Sequence, residues 1–262
     1  MFAIVKVNSR AEIADMRRIY ARTLAGGQEG YLEELIDDAG PFHILCEGAL
    51  CGYCCIGPDK RMCALYVRQL FIARADELLR YLVTQGYVTG AMVSTRDRLA
   101  MSLCLDMQGR RWCQGYLFED GAASRNPPVP LPDAIVRPAV AADLAAIESL
   151  CRHFLPEYRS WIDQGCMHVM MRNNELLGIG LLQIIDTHPP YADVGMFVAP
   201  ALRRNGIGTY LVEMEKEQCR RRGLIPIAGC DYENIASRRA LEKAGMVARD
   251  RMVGFEFKQA GS

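Results

Sequence analysis

Apolar and polar positions follow two periods along this chain, and their order is the same in both halves. The segment from residue 3, AIVKVNSRAEIADMRRIYAR, begins as a strand and continues with apolar residues at helical spacing, among them Met16 and Tyr20. The segment from residue 134, AIVRPAVAADLAAIESLCRH, repeats that order, with Ile147 and Cys151 on one helix face. The pattern therefore predicts an internal repeat.

The similarity continues through the rest of each half. HILCEGALCGYCCI and HVMMRNNELLGIGLLQI both predict a hairpin of two strands, with turns at Glu47-Gly48 and Asn173-Asn174. LYVRQLFI and YADVGMFV each predict a further strand. RLAMSLCLDMQGR and NIASRRALEKAGM each predict a helix closed by glycine.

The number of positions between matching residues of the two halves is not constant along the repeat. Gly52 and Gly178 stand 126 positions apart, as do Phe71 and Phe197, but the glycines after the last helices stand 136 apart. The first half is therefore expected to lack about ten residues between its fourth strand and its last helix. The second half carries the sequence RRNGIG in that interval.

A proline-rich run separates the halves. Four prolines fall within GAASRNPPVPLPD, which cannot continue a helix or a central strand. We therefore expect a first domain over residues 1–122, a linker over 123–133 and a second domain over 134–262. The fold class predicted is α/β (α+β), in which each domain is a mixed, mostly antiparallel sheet flanked by helices.

Composition narrows the function. The 262 residues are half apolar and carry 31 basic and 31 acidic side chains, without a charged tail, which argues against nucleic acid or a membrane surface as the main partner. No apolar run reaches the ~18 residues of a membrane span. The N-terminal MFAIVKV reads as a strand rather than a leader, and eleven irregularly spaced cysteines suit a reduced, cytoplasmic protein.

Five of the cysteines cluster between Cys46 and Cys63. Cys51 and Cys54 have zinc-knuckle spacing, but no second such pair or histidine pair follows. Buried free cysteines are also ordinary small core residues. We expect no metal.

The stretch RRNGIGTY, from Arg203, permits two interpretations by itself. Its glycines could form a turn that starts a helix, or a cradle in which backbone N–H groups bind a phosphate at a helix N-terminus.

The surrounding sequence carries a family resemblance. FVAPALRRNGIGTYLVEMEKEQCRRRGL, followed by NIASRRALEKAGM, contains Val198-x-Pro200, then Arg203-x-x-Gly206-x-Gly208, then an asparagine eleven residues before a glycine. These elements in this order resemble the GNAT superfamily of acyl-CoA-dependent N-acyltransferases. The resemblance covers residues 134–257 directly and the first half through the repeat, so a tandem GNAT-like protein is expected.

The resemblance implies one acetyl-CoA site in the second half. The strand before the loop would contact the pantetheine arm through backbone groups of Met196, Phe197 and Val198, one of which could polarise the thioester carbonyl. The loop and the last helix would supply the other contacts, from Arg203, Arg204, Asn205, Gly206, Ile207, Gly208, Thr209, Asn234 and Ser237. Asn234 would also cap its helix.

The same resemblance implies an acid and a base. Asp193 lies near the family's usual carboxylate, but one residue out of register, so a strand bulge would be needed. Asp231 and Glu233 are alternatives. The position of the family's usual tyrosine is Leu241, which leaves Tyr232 or Tyr210 as substitutes for the acid that protonates the leaving thiolate.

The acceptor would bind near CRHFLPEYRSWIDQG, where Glu157, Tyr158 and Trp161 form a lining suited to a small polar amine. A peptide acceptor, or a merely solvated helix face, remains an alternative. Because no Cys–His pair is evident, direct attack in a ternary complex is expected. Cys230 could be a nucleophile but fits a strand interior better.

The first half lacks the loop. Its LFIARADELLRYL has no glycine pair, and Asp76 and Glu77 would repel a phosphate at that helix N-terminus. We therefore expect an acetyltransferase acting on a small-molecule amine, with a first lobe that binds no cofactor in the usual mode. A protein N-acetyltransferase and a non-catalytic acyl-CoA-binding regulator are the rivals. The oligomeric state is left open.

Overall fold

The structure is a computed structural model that describes residues 1–121, 131–152, 154–155 and 157–258. The chain forms two compact units, one of Met1–Tyr116 with the segment from Asp250 onwards and one of Leu117–Arg249. Of the predicted linker over 123–133, residues 123–130 lie outside the described residues.

The first unit is a mixed, mostly antiparallel sheet with helices, as predicted. Its strands follow the order β1-β2-β3-β4-β5, with β4 and β5 parallel. Its buried core joins these strands to the third and fourth helices through leucine, valine and cysteine side chains. In chain order its elements are β1 (Phe2–Lys6), α1 (Ala14–Thr23), α2 (Gly30–Asp38), β2 (Gly40–Cys46), β3 (Ala49–Ile56), β4 (Arg61–Val67), α3 (Ala75–Thr84), β5 (Gly90–Ser94), α4 (Arg98–Asp106) and β6 (Gly109–Asp120), of which β6 continues into the second unit.

The second unit repeats this plan with strands in the order β11-β10-β9-β8-β7. One core lies between the sheet and its first two helices, and another lies beneath the long third helix. The elements are β7 (Ile135–Pro138), α5 (Leu144–Cys151), α6 (Tyr158–Asp163), β8 (Met167–Arg172), β9 (Glu175–Ile184), β10 (Tyr191–Val198), α7 (Ile207–Arg221), β11 (Ile225–Asp231), α8 (Ile235–Lys243) and β12 (Met246–Phe257).

The two predicted hairpin turns are confirmed by the backbone. Glu47 and Gly48 have φ values of 53° and 83°, and Asn173 and Asn174 have 48° and 64°. Positive φ at both central positions is typical of a type I′ turn, whose twist matches that of the flanking strands. Glycine and asparagine adopt this conformation most readily, which explains Gly48, Asn173 and Asn174 but not Glu47.

The last strand departs from the predicted domain division, which assigned residues 134–262 to one domain. β12 crosses the boundary between the units, and its Met252–Glu256 segment pairs antiparallel with β5 of the first unit. The approach is close, since a Cβ on Gly90 would lie 2.2 Å from the carbonyl oxygen of Phe255. A strand pattern in sequence does not specify which sheet the strand joins.

Sheet register also corrects one detail of the repeat. Tyr66 stands one residue before the partner of Gly52, as Phe197 stands one residue before the partner of Gly178. Tyr66, rather than Phe71, therefore takes the place of Phe197. The extra residues of the second half are divided between the β9–β10 hairpin and the segment after β10, instead of lying only after β10.

The described ranges contain neither a membrane-spanning helix nor a cluster of metal-ligating side chains. None of the helices there is long and apolar enough to cross a membrane. Those residues also contain no group of three or more His, Cys, Asp and Glu side chains placed to hold a metal ion. Cys51, Cys54 and Cys55 are fully buried, and burial raises the pKa of each thiol.

Candidate functional site

The centre of the candidate site is an opening between β10 and β11. β10 pairs with β9 from Ala192 to Val198, but it pairs with β11 only from Tyr191 to Asp193. Beyond Asp193 the two parallel strands part. Within the described ranges, one edge of β10 is therefore left without a strand partner over its last five residues.

Strand geometry determines which backbone groups face this opening. The N–H of Ala199 donates to the Leu177 carbonyl at 3.1 Å, and the N–H of Ile185 donates to the Tyr191 carbonyl at 3.0 Å. The backbone N–H and C=O groups of odd-numbered β10 residues therefore bond to β9, and those of even-numbered residues point toward β11. Met196 and Val198 direct their backbone groups into the opening.

Phe197 departs from the expectation in this respect. Its backbone groups pair with β9, so they are not available to a ligand in the opening. Its side chain contacts the core beneath α5 and α6, whereas Met196 and Val198 pack toward α7.

A loop of unpaired amides comes directly after the strand. Arg204 and Gly206 have φ values of 71° and 81°, and Gly206 is the N-cap of α7. The first amide of α7 that bonds back is that of Tyr210, to the Gly206 carbonyl at 3.0 Å. The backbone N–H groups of residues 204–209 have no acceptor within the part of the chain that the structure describes. Six consecutive donors at a helix N-terminus form a cradle for an anion.

The cradle and the opening are continuous. A Cβ on Gly208 would lie 3.5 Å from Val198 Cγ2 and 3.6 Å from Met196 Cγ, so the first turn of α7 rests on the end of β10. Ile207 and Thr209 are buried there, and Asn205 is exposed with its Nδ2 donating to the Leu202 carbonyl at 3.3 Å. An extended ligand could therefore pass from the cradle into the opening without a break.

The start of α8 lies at the end of β11. Asn234 caps this helix, since its Oδ1 accepts a hydrogen bond from the Ser237 N–H at 3.0 Å. Leu241, at the position where the family carries tyrosine, is 1% exposed and contributes no polar group. Tyr232 is 40% exposed, so its hydroxyl can reach solvent or a ligand.

Cys230 lies on the strand just before that turn. Burial raises the pKa of its thiol to about 11, and the Asp231 carboxylate adds to the shift. The thiol is therefore protonated near neutral pH. Since the thiolate is the nucleophile, Cys230 is a poor candidate for a covalent mechanism.

Asp193 lies on the opposite face of the sheet from α7, at the last paired position with β11. The bulge that its catalytic role was expected to need is absent, because pairing with β9 continues without a shift from Ala192 to Val198. Asp193 therefore stands three residues before Met196, roughly 10 Å along the strand. Asp231 shares this face by register, and its Oδ1 accepts the Glu233 N–H at 2.8 Å.

The expected acceptor residues divide into two groups. Tyr158 is buried, and its hydroxyl accepts from the N–H groups of Phe154 and Leu155 at 3.0 and 3.1 Å while donating to the Arg152 carbonyl at 3.0 Å. It organises the α5–α6 loop and does not face a ligand. Glu157 is exposed before α6, and Trp161 packs partly against the core.

The sequence interpretation did not single out Phe154, and it assigned Phe197 a role only through its backbone. Phe154, from the α5–α6 loop, lies 5.1 Å from Phe197 between ring centroids. Arg203 then covers Phe197, with Cζ 5.7 Å from the ring centroid. The side chain of Arg203 thus lies with Phe197 rather than along the amide cradle. A signal was present in the sequence, since Phe154 adjoins the predicted acceptor segment, but the strand face of Phe197 depends on register.

The first unit has the same opening without the cradle. β4 and β5 pair only from Arg61 to Met62, yet the segment after β4 is a 3-10 helix over Gln69–Arg74. Asp76 and Glu77 lie in the first turn of α3 and pair with Arg80 and Arg74.

Family models match both halves of the chain. A family model described as "Acetyltransferase (GNAT) domain" matches residues 9–121, and one described as "Acetyltransferase (GNAT) family" matches residues 140–246. No protein of curated function matches the sequence.

Several solved structures share the fold over the whole chain. An acetyltransferase of the GNAT family from Colwellia psychrerythraea is 24% identical, with a TM-score of 0.88 over 98% of this chain and 100% of its own. A tandem GNAT protein from the clavulanic acid biosynthesis pathway is 13% identical, with a TM-score of 0.68 over 100% of both chains. A GCN5-related N-acetyltransferase from Sphaerobacter thermophilus is 15% identical, with a TM-score of 0.66 over 100% of this chain and 97% of its own.

Proposed function

Because the chain belongs to the GNAT acetyltransferase family and carries two of its domains in tandem, we propose that its second unit transfers an acetyl group from acetyl-CoA to the amine of a small molecule. The observation that carries this proposal is the amide cradle at residues 204–209, which continues directly into the opening between β10 and β11. The cradle suits a pyrophosphate, and the opening suits the narrow pantetheine arm.

Binding of the pyrophosphate rests on backbone groups. The N–H groups of residues 204–209 donate to the phosphate oxygens, and the partial positive charge at the start of α7 favours the anion. Gly206 allows the left-handed conformation that turns these groups to one side. Arg204 adds a positive charge from an exposed position.

Binding of the pantetheine arm uses the free edge of β10. Met196 supplies an N–H and a carbonyl that point into the opening, and Val198 supplies an N–H, so the arm bonds as an added strand would. The Val198 carbonyl already accepts a hydrogen bond from Arg203 Nε at 3.4 Å. Asn234 and Ser237 border the same end of the opening from α8. The acetyl group then lies beside the last residues of β10.

The chemistry is direct attack in a ternary complex. The neutral amine attacks the thioester carbonyl, the new C–N bond forms and the C–S bond breaks. One of the N–H groups of Met196 and Val198 stabilises the oxyanion, a contribution of about 3 kcal/mol for one such donor. Asp193 takes the amine proton through intervening water, because it stands too far along the strand for direct contact.

The leaving thiolate needs little assistance. A free thiol has a pKa of about 8.5, so the thiolate is a tolerable leaving group near neutral pH. Tyr232 can supply the proton, since it is an exposed residue in the turn between β11 and α8.

Leu241 favours one rival function. This buried side chain stands where a proton donor is usual, which is what a protein that binds acetyl-CoA without turnover would tolerate. A peptide acceptor is a further alternative to a small amine.

Calorimetry with acetyl-CoA and a thiol-release assay over a panel of amines and peptides test the proposal. The Gly206→Glu variant should lose acetyl-CoA binding, because a carboxylate would enter the cradle. Gly223→Glu is the matched control, since Gly223 has φ of 69° and open space at the other end of α7. Unchanged acetyl-CoA affinity in Gly206→Glu would refute the cradle. Tight binding without thiol release across the panel would establish the non-catalytic rival, and turnover of peptides alone would establish the peptide acceptor.

A further inference from the structure

Arg203 stands at the start of the glycine loop, but its side chain lies on the other side of β10 from the cradle. Phe197 faces the core beneath α5 and α6, whereas the cradle lies on the α7 side with Met196 and Val198. The guanidinium of Arg203 covers the Phe197 ring at 5.7 Å. It is therefore placed on the face from which an acceptor would approach.

Two contacts hold this guanidinium in one orientation. Its Nε donates to the Val198 carbonyl at 3.4 Å, and its Cζ lies over the Phe197 ring, 5.7 Å from the centroid, an arrangement that favours a cation. The Nε contact leaves both terminal NH2 groups available. Those two groups form the fork that binds a carboxylate through parallel hydrogen bonds.

The charge of Arg203 has no counter-ion among the residues that the structure describes. No carboxylate of those residues lies within 4.0 Å of it. Arg220 and Arg221, at the far end of α7, each pair with a carboxylate instead. An exposed arginine ordered on an aromatic ring, with its fork unused, is suited to an anionic ligand.

The frame around Arg203 is built by neighbouring residues. Phe154 contacts Phe197 at 5.1 Å on the same face, and the buried hydroxyl of Tyr158 bonds to the Phe154 N–H at 3.0 Å. Tyr158 is thus a positioning residue for the wall that Phe154, Phe197 and Arg203 form. Its role differs from the ligand contact that the sequence suggested.

The position of Arg203 also restricts the ligand. Its Nε contact is to Val198, and the opening that receives the acetyl group is bordered by Val198 and Met196. An anion on the Arg203 fork would therefore lie beside the opening in which the amine attacks. The amide cradle and Arg204 already supply the positive potential for the pyrophosphate.

We infer that Arg203 recognises the acceptor, and that the acceptor is an amine carrying a carboxylate a few bonds from its nitrogen, as in an amino acid. This inference rests on the proposed function, since it concerns the specificity of the same site. The α-amine of a peptide has no α-carboxylate beside it, because that carboxyl group forms the peptide bond.

Matched pairs of acceptors test the inference on the full chain with acetyl-CoA. Each pair is an amino acid and its decarboxylated amine, such as phenylalanine and 2-phenylethylamine, assayed by thiol release. The wild-type protein should prefer the carboxylate-bearing member by at least about tenfold in kcat/KM, as expected for a lost charge-assisted hydrogen bond. Arg203→Gln should remove this preference, and Arg203→Lys should retain part of it.

Arg204→Gln is the control, because the two arginines adjoin but only Arg203 lies on Phe197. It should weaken acetyl-CoA binding in calorimetry and keep the acceptor preference. The inference is overturned if the wild-type protein shows no preference within the pairs. It is also overturned if Arg203→Gln keeps the preference and weakens acetyl-CoA binding instead. Failure of the proposed function has a different signature, since the wild-type protein would then not bind acetyl-CoA or would release no thiol with any acceptor.

Discussion

Each unit has two parallel strands that pair over only a few residues and then diverge, β10 and β11 in the second unit and β4 and β5 in the first. The units differ in the segment that follows β10 or β4. After β10 come a glycine with φ of 81° and six amides that have no acceptor within the described ranges. After β4 comes a 3-10 helix, and then a helix whose first turn carries two acids. The opening is thus a property of the sheet, whereas the cradle is a property of a few loop residues.

The layer beneath the first helices differs as well. In the second unit it is apolar, with Ile147, Val169 and Ile179 buried together. In the first unit Tyr20 donates to the buried Asp97 at 2.9 Å, and the buried hydroxyl of Tyr53 has no hydrogen-bond partner among the described residues. In the second unit the region next to the opening is apolar. In the first unit the equivalent region contains polar side chains.

The largest expected effect concerns cofactor stoichiometry. Calorimetry should find one acetyl-CoA per chain, and Gly206→Glu should reduce affinity on the order of 100-fold or more by placing a charge among the cradle amides. A second acetyl-CoA site that survives this substitution would contradict the comparison, since the first unit would then bind the cofactor without a cradle.

A smaller effect is expected at the cap of α4. Asp97→Ala removes the acceptor of the Ala100 N–H and leaves the Tyr20 hydroxyl buried without its partner. Loss of a cap costs about 1 kcal/mol and an unsatisfied buried hydroxyl about 2 kcal/mol, so the free energy of unfolding should fall by about 3 kcal/mol.

Urea denaturation can assign this loss to one unit, because the chain has two tryptophans and Trp112 lies in the first unit. Trp161→Phe leaves Trp112 as the reporter, and Asp97→Ala should be measured in that background. A loss below about 1 kcal/mol would mean that the buried pair contributes no more than an exposed cap.

The corresponding cap in the second unit should matter less for stability. Asn234 is exposed, so Asn234→Ala should reduce the free energy of unfolding by about 1 kcal/mol, measured through Trp161 in a Trp112→Phe background. The same variant should weaken acetyl-CoA binding if Asn234 also borders the pantetheine arm. If Asn234→Ala lowered the free energy of unfolding as much as Asp97→Ala does, the exposed cap of α8 would be as important for stability as the buried cap of α4.

The smallest expected effect is a dependence on pH. Burial raises the pKa of the Asp97 carboxyl above its usual value near 3.8. A raised pKa contributes stability that is present below the usual value and is lost as pH rises through the folded one. The free energy of unfolding of Asp97→Asn should therefore increase relative to that of the wild-type protein as the pH rises from 4 to 7. A constant difference over that range would show that Asp97 titrates as an ordinary carboxyl.

Much of the fold was predictable because it depends on local sequence. The repeat, the two hairpin turns and the cap at Asn234 depend on the period of apolar positions and on residues that favour positive φ or helix ends. Gly206 was predictable for the same reason. These features involve residues close in sequence, and the chemistry of each is contained in a few positions.

Features that depend on long-range pairing were not predictable. β12 pairs with β5 across more than 150 residues, and the place of Phe197 in the repeat is taken by Tyr66 only through sheet register. The Tyr158 hydroxyl bonds to the Arg152 carbonyl and the Arg203 guanidinium lies over Phe197, and neither contact follows from the local sequence.

The sequence by itself determined that the chain repeats one fold and that only its second copy carries a glycine loop. Tertiary structure decided which backbone groups of β10 are free, since Met196 and Val198 face the opening only because odd-numbered residues bond to β9. It also decided that Arg203 lies over Phe197. A strand alternates its faces and its hydrogen-bonding edges every residue, so the partner strand and its register, which the local sequence does not contain, assign each residue its side.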